Sequence, residues 1–590
     1  MNWKLALFWL LSAALIFYYM LMMGVFSWVS QEEAQLFIPR WWAIKDILFE
    51  PGGFCAVVGQ WIVQYYRQPM LAVIIHTSML IGCGLMASRL LRGSLANISN
   101  SLLALIPFLY LASMSVRSEY LVDGTVGIVL MMMALSFAAK IRNVWHIAGF
   151  GIISTLLLCW LSGYMSLFYA MLYTLFALLN NNSSRQRWAA SASLIPALFI
   201  FLYGDLLAIP VPLWDGWKPE AFLEVQRLPH YYIYRVWTIF TILLAAVAIL
   251  SHLALGFVNG RKWASRTFSL FSLLLLLLSG WVCLPNPSHL QHIMFDELAF
   301  LYREKQWDVI LNKYRGKQVS NYLTLNYINM SLAQQGELAN QMFMFDQRGV
   351  KGLCSDWDHT FYMDRLLSDI HFLTGSLSMS ESFAMDGFTQ AKRKGSATMM
   401  QRMAQISLLR GEMGLARKYL DLLADMPYYE DWAGEYHKYL DNAELIEMDP
   451  ELMGKVGVKV DNDRLLASLP VDSLWGDSVD VRNRVAWEYR GCYYLLDKRL
   501  DDFAKFFKES PLDDGEPLPR YFQEALVMSE IDSDLIVPLS VNKDVEERYG
   551  GFKQMLMRSK SQADISTIYR QFGDTYWFYF YFKNIKGDKR

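Results

Sequence analysis

The sequence predicts an all-α protein in two parts, a polytopic transmembrane helical bundle over residues 1–285 and a soluble α-helical repeat domain over residues 286–590. Three observations predict it. Before about residue 285, apolar runs of roughly twenty residues recur, the length that crosses the hydrocarbon core of a bilayer. Beyond it Asp, Glu, Lys and Arg appear every few residues, and no run is long enough to span. In that second half apolar residues follow helical spacing, with little of the alternation that marks strands.

The apolar runs define about nine spans: 5–28, 70–88, 101–116, 124–139, 145–162, 164–180, 188–208, 233–257 and 267–284. The first is too long, and lacks the small-residue site, for a cleaved signal sequence, so it reads as a retained anchor. Lys and Arg favour cytoplasmic loops. Lys4, Arg89, Arg92, Lys140, Arg142, Arg185, Arg187, Arg261, Lys262 and Arg266 all fall on alternate connections. The opposite connections carry Glu32, Glu33, Asp46, Glu50, Glu119, Asp123 and Asp215. The expected topology has the N-terminus in the cytoplasm and everything after Pro285 outside. In a Gram-negative bacterium this means a multi-pass inner (plasma) membrane protein with a periplasmic C-terminal domain.

Within this frame several connections stand out. Residues 29–69 form a long first outer loop, and Phe37–Leu48 has the apolar spacing of a helix lying in the interface. Pro51, Gly52 and Gly53 end it, and a second amphipathic stretch runs from Phe54 to Arg67. Spans five and six meet at Leu161-Ser162-Gly163-Tyr164, a tight hairpin. In the second half, Gln405–Pro427 reads as a tetratricopeptide-like helix pair around Gly411. Echoes occur at Tyr327–Ala339, Leu366–Gly375, Leu298–Ile310 and Tyr489–Phe507. The aromatic run Asp574–Phe580 is expected to pack on the last repeat or on the membrane surface.

A net charge of −2 offers no basic footprint for nucleic acid. The six cysteines show no CxxC or metal-ligand spacing. Candidate chemistry lies at the outer ends of spans. Glu32 and Glu33 follow the first span, where a carboxylate can accept a proton from an acceptor hydroxyl; the other reading is two solvated acids at a helix end. Arg117, Glu119 and Asp123 share the next outer connection, suited to a phosphate or to a divalent cation such as Mg or Mn. His230 and Arg235 sit among aromatic residues at the mouth of the eighth span, where they would grip a lipid-linked phosphate or simply form an interfacial belt. His76 and Asp205, inside spans, are expected to face a cavity.

These features together resemble the GT-C superfamily of membrane glycosyltransferases: a long amphipathic first outer loop, an acid just after span one, a second acid in the next outer loop, and a soluble domain after the spans. The resemblance implies that Glu32 or Glu33 occupies the first acidic position and Glu119 or Asp123 the second. The strings Phe49–Phe54 and Gln60–Tyr66 also resemble a Bacteroidota inner-membrane family of the same layout. The implied activity is transfer of a sugar from a polyprenyl-phosphate donor to a periplasmic or lipid-linked acceptor, with Arg117 and Arg235 receiving the phosphate. The alternative is a non-catalytic membrane scaffold whose repeat domain docks periplasmic or secretion partners. A transporter is disfavoured because no internal repeat is visible among the spans.

Overall fold

Helix follows helix along the chain. The computed structural model describes residues 3–91, 97–180, 183–203, 229–258, 262–391, 393, 395–453, 455, 483–509, 517–532, 541–559 and 562–583. Among them there is no strand, only an isolated parallel bridge between Gln35 and Arg393. Asp205 lies outside the described residues.

Two compact units divide the chain. The first comprises Met1–Asp296 together with Gln390–Ala397 and Leu422–Trp432, and the second takes the remainder. Among the described residues of the first unit, six helices are long and apolar enough to cross a membrane: Trp3–Met23 (α1), Pro69–Leu90 (α5), Ile98–Ser115 within α6 (Asn97–Ser115), Val144–Ser162 (α8), Tyr232–Leu255 and Trp263–Val282. Val122–Ala138 (α7) and Met165–Asn180 (α9) are apolar but shorter. The apolar window of Trp263–Val282 is only 11% buried, and Leu270, Leu274, Leu277, Leu278 and Trp281 all face outward. Water does not tolerate so large an apolar face, whereas lipid does. The chain is a membrane protein.

Two expected spans are broken. The first ends at Met23, and a separate helix, α2 (Val25–Glu33), follows Gly24. The Trp28 ring lies so close to Gly24 that a Cβ there would meet it at 2.8 Å. The seventh divides into Ser184–Ser191 and Leu194–Tyr203, because Pro196 is compatible only with a first helical turn. The short hairpin between α8 and α9 is present, turning at Gly163 with φ +62. Polar side chains clamp the spans: the Ser99 and Ser269 hydroxyls lie 2.7 Å apart, and Ser251 donates to Asn100 at 3.0 Å. His76, expected to face a cavity, lines neither of the two cavities described below: its ring stacks on Trp28 at 4.5 Å and its Nε2 meets the Tyr66 hydroxyl at 2.7 Å.

Among the described residues, five helix pairs turn in the same way, and all five turns lie in the second unit. The turn residues Lys305, Gly336, Gly375, Gly411 and Lys498 all have left-handed backbone, with φ between 56 and 78. Each is followed by an amide that reaches back five residues: Gln306 to Leu301, Glu337 to Leu332, Ser376 to His371, Glu412 to Ser407 and Arg499 to Tyr494. This is the helix cap in which a left-handed residue lets the chain reverse while satisfying the last carbonyls. The first four turns are separated by 31, 39 and 36 residues. The aromatic tail forms the helix Tyr576–Phe582 and packs inside this unit: Trp577 Nε1 donates to the Glu524 carbonyl at 2.9 Å and Tyr579 to that of Leu496 at 2.8 Å.

Candidate functional site

The site is built on α2, the helix after the break at Gly24. Trp28 Nε1 donates to the Ser115 carbonyl at 2.7 Å. Gln31 Nε2 reaches the carbonyls of Arg117 and Tyr120 at 3.0 and 3.1 Å. These bonds fix the rotation of α2 and leave Glu32 and Glu33 at its end, 1% and 2% exposed, not solvated.

A buried carboxylate needs a cation. Arg67 supplies it, with Nε 2.9 Å from Glu32 Oε2 and Nη2 3.8 Å from Glu33 Oε1. Local sequence explains why Arg67 stands there. Pro69 opens α5 and forces Gln68 into extended backbone, which ends the short helix Gln64–Arg67 at a corner. Tyr429 completes the group, donating to Glu32 Oε2 at 3.1 Å with its ring under the Arg67 guanidinium. Burial raises the Glu32 carboxyl above its usual range, opposed by Arg67.

A second ionic pair lies beyond. Asp123, in the first turn of α7, accepts from Arg393 Nη2 at 2.6 Å, both side chains being largely buried. Arg393 is carried on a segment that runs beside residues 33–35. Ser396 Oγ donates to the Glu33 carbonyl at 2.6 Å, and the Ala397 amide to that of Gln35 at 3.1 Å. Gly59 of α4 (Gly53–Val63) leaves the space that Asp123 fills, since a Cβ there would lie 1.7 Å from Asp123 Oδ1. Gly59→Ala is therefore expected to displace Asp123 and cost about 1–3 kcal/mol, read as a lower thermal midpoint of the purified protein.

Asp123 and Arg393 line a cavity of about 360 Å³. Its walls are otherwise mostly apolar: Ala43, Ile44 and Ile47 from α3 (Trp41–Leu48), and Tyr164, Tyr234 and Trp237 opposite. The turn at Gly52 closes one side, with its amide donating to the Trp160 carbonyl at 2.9 Å. On the outer face of α3, Trp41, Trp42 and Phe49 are more than half exposed.

Arg117, Glu119 and Arg235 come together elsewhere, around the Tyr232 hydroxyl, which accepts from Arg117 Nη1 at 3.4 Å. His289 joins them, its imidazole pushed below its usual value by burial and then by Arg117. Glu119 and Asp123, four residues apart, thus serve different groups. The His230 side chain lies outside the described residues. Sequence reasoning missed Arg67, Arg393 and Tyr429, which no local pattern marks. Among the described residues, no three His, Cys, Asp or Glu side chains gather to hold a metal ion.

Fold and site together define an all-helical membrane protein with a carboxylate–guanidinium pair in the wall of a mostly apolar cavity. The chain belongs to the Family of unknown function (DUF6057), which it matches over residues 1–583. No curated protein and no solved structure matches it.

Proposed function

We propose that this protein is a GT-C-like glycosyltransferase with about nine spans in a bacterial inner membrane, using a polyprenyl-phosphate sugar on the periplasmic side. The observation that carries the reading is the cavity beneath α3, apolar over most of its wall yet holding the Asp123–Arg393 pair. An amphipathic helix with exposed Trp41 and Trp42 suits the membrane interface, where a lipid-linked donor presents its phosphate.

In this reading Asp123 is the base: it lines the cavity and is buried there against Arg393, whereas Glu50 on the same wall is exposed and neither Glu32 nor Glu33 lines it. The acceptor hydroxyl gives its proton to the Asp123 carboxylate, and its oxygen attacks the anomeric carbon. The bond from that carbon to the polyprenyl-phosphate oxygen breaks, and the phosphate leaves with the electron pair. Arg393, the guanidinium that lines the same cavity, offsets the charge that develops on it. Glu32 and Glu33 act as positioning residues, since the stretch that follows them carries the segment bearing Arg393. The five capped helix pairs, whose spacings bracket the roughly 34 residues of a tetratricopeptide repeat, favour a second role for the soluble domain, docking a periplasmic polypeptide.

A deletion strain tests the reading. Its surface glycans should lose one sugar, with the lipid-linked donor accumulating, and the wild-type gene should restore both. Arg393→Lys should restore transfer only partly, because the departing phosphate loses the guanidinium fork on the cavity wall. Unchanged glycans and donor pools in the deletion strain would sink the enzyme reading.

A further inference from the structure

We propose a second ligand site at the opposite end of the same helices, which holds the phosphate headgroup of an anionic phospholipid. The ends of α5, α7 and α9 and the start of α8 enclose a cavity of about 340 Å³. From Asp123 to Ala138, α7 rises about 22 Å, so the two cavities sit at the two ends of the bundle.

Arg89 and Arg142 both line this second cavity, and both are exposed. Neither forms an ion pair with any described residue. The sequence explains why: no Asp or Glu occurs from residue 51 to 118 or from 124 to 204. Asn180 and Tyr173 also stand on the wall, their polar ends held by the carbonyls of Leu90 at 3.4 Å and Ile147 at 2.7 Å. Leu135, Ala138 and Phe176 supply an apolar surface beside them.

Loop charge set by topology accounts for basic residues at this end. It does not require two guanidinium groups on one cavity that pair with no acid among the described residues. A guanidinium fork matches phosphate oxygens two at a time, which an ammonium does not. Basic pockets between membrane helices, with apolar surface for acyl chains, are the kind that take phospholipid headgroups. The site is independent of the transferase reading and survives its failure.

The test uses the full chain in nanodiscs of phosphatidylcholine, with or without phosphatidylglycerol, followed by thermal unfolding and by native mass spectrometry of retained lipid. Phosphatidylglycerol should raise the wild-type midpoint by several degrees and remain bound. The variant with Arg89→Ala and Arg142→Ala should keep the neutral-lipid midpoint but lose both the rise and the retained lipid. Replacing both by Lys keeps the charge and should lose most of the rise; it also serves if the alanine variant fails to insert. An equal rise in wild type and alanine variant would overturn the site. A rise with inorganic phosphate in neutral lipid, and none with phosphatidylglycerol, would overturn the lipid assignment.

Discussion

Replacing Asp123 by asparagine is expected to lower the proposed sugar transfer by about 10²–10⁴-fold, the usual range for loss of a general base. The substitution isolates the proton acceptor. An asparagine oxygen still accepts from Arg393 Nη2, now 2.6 Å from the carboxylate, and the side chain still fits the hollow left by Gly59. What is lost is the ability to take a proton. Glycans from the complemented deletion strain provide the readout, with membrane levels of the variant compared by blot. Arg393→Ala provides the contrast, because it leaves Asp123 buried without its partner and should reduce the amount of folded protein as well as transfer. Wild-type glycans from Asp123→Asn would remove Asp123 from the chemistry.

Arg67→Met should cost about 3–5 kcal/mol, the penalty for stripping the cation from a buried ion pair. Two carboxylates depend on this guanidinium, and solvent reaches neither of them. The loss carries a pH signature. Burial already raises the Glu32 carboxyl, and Arg67 opposes the rise, so removing Arg67 raises it further. A carboxyl whose value is higher folded than unfolded is easiest to bury when protonated. The stability deficit should therefore be smallest at acid pH and grow as pH climbs through the raised folded value. Adding Glu32→Gln should recover part of the loss, since it removes the stranded charge. Melting of purified Arg67→Met against pH, with and without Glu32→Gln, measures both effects. A wild-type midpoint at alkaline pH would show that Arg67 is not what holds these carboxylates.

Much of the helical layout was legible because its causes are local. Twenty apolar residues in a row, the Pro51-Gly52-Gly53 break and the Gly163 hairpin each act over a few residues, and each appears in the structure. The helix pairs were legible for the same reason, even where Lys305 and Lys498 replace glycine at the turn. The break at Gly24 was not, because a lone glycine inside an apolar run is no dependable stop signal. The site divides in the same way. Glu32, Glu33, Arg117, Asp123 and Arg235 were suggested by their nearness to span ends. Their partners were not: Arg393 meets Asp123 across 270 residues of sequence, and Tyr429 meets Glu32 across 397. In the sequence Arg393 is one of three basic residues in Lys392-Arg393-Lys394, a pattern that normally marks a solvated surface. Only the tertiary fold singles it out. That Glu119 and Asp123 stand in different groups was equally hidden, because the space for Asp123 is left by Gly59 on a different helix.

The first unit draws on residues far downstream of its own helices, and this sets an order of events during synthesis. Helices insert as they emerge, so Asp123 reaches its place long before Arg393 exists. At about 5–20 residues per second, the intervening 270 residues take on the order of 15–55 s to make. Glu32 waits longer still for Tyr429. Throughout that interval the nascent bundle holds Asp123 with its countercharge not yet made, and a carboxyl in that state stays protonated or draws water to it. Completing the bundle is then a late event, in which the arrival of one arginine and one tyrosine expels that water and fixes the ionic groups. A ribosome that stops shortly after residue 296 would release all the apolar helices and leave the site unformed.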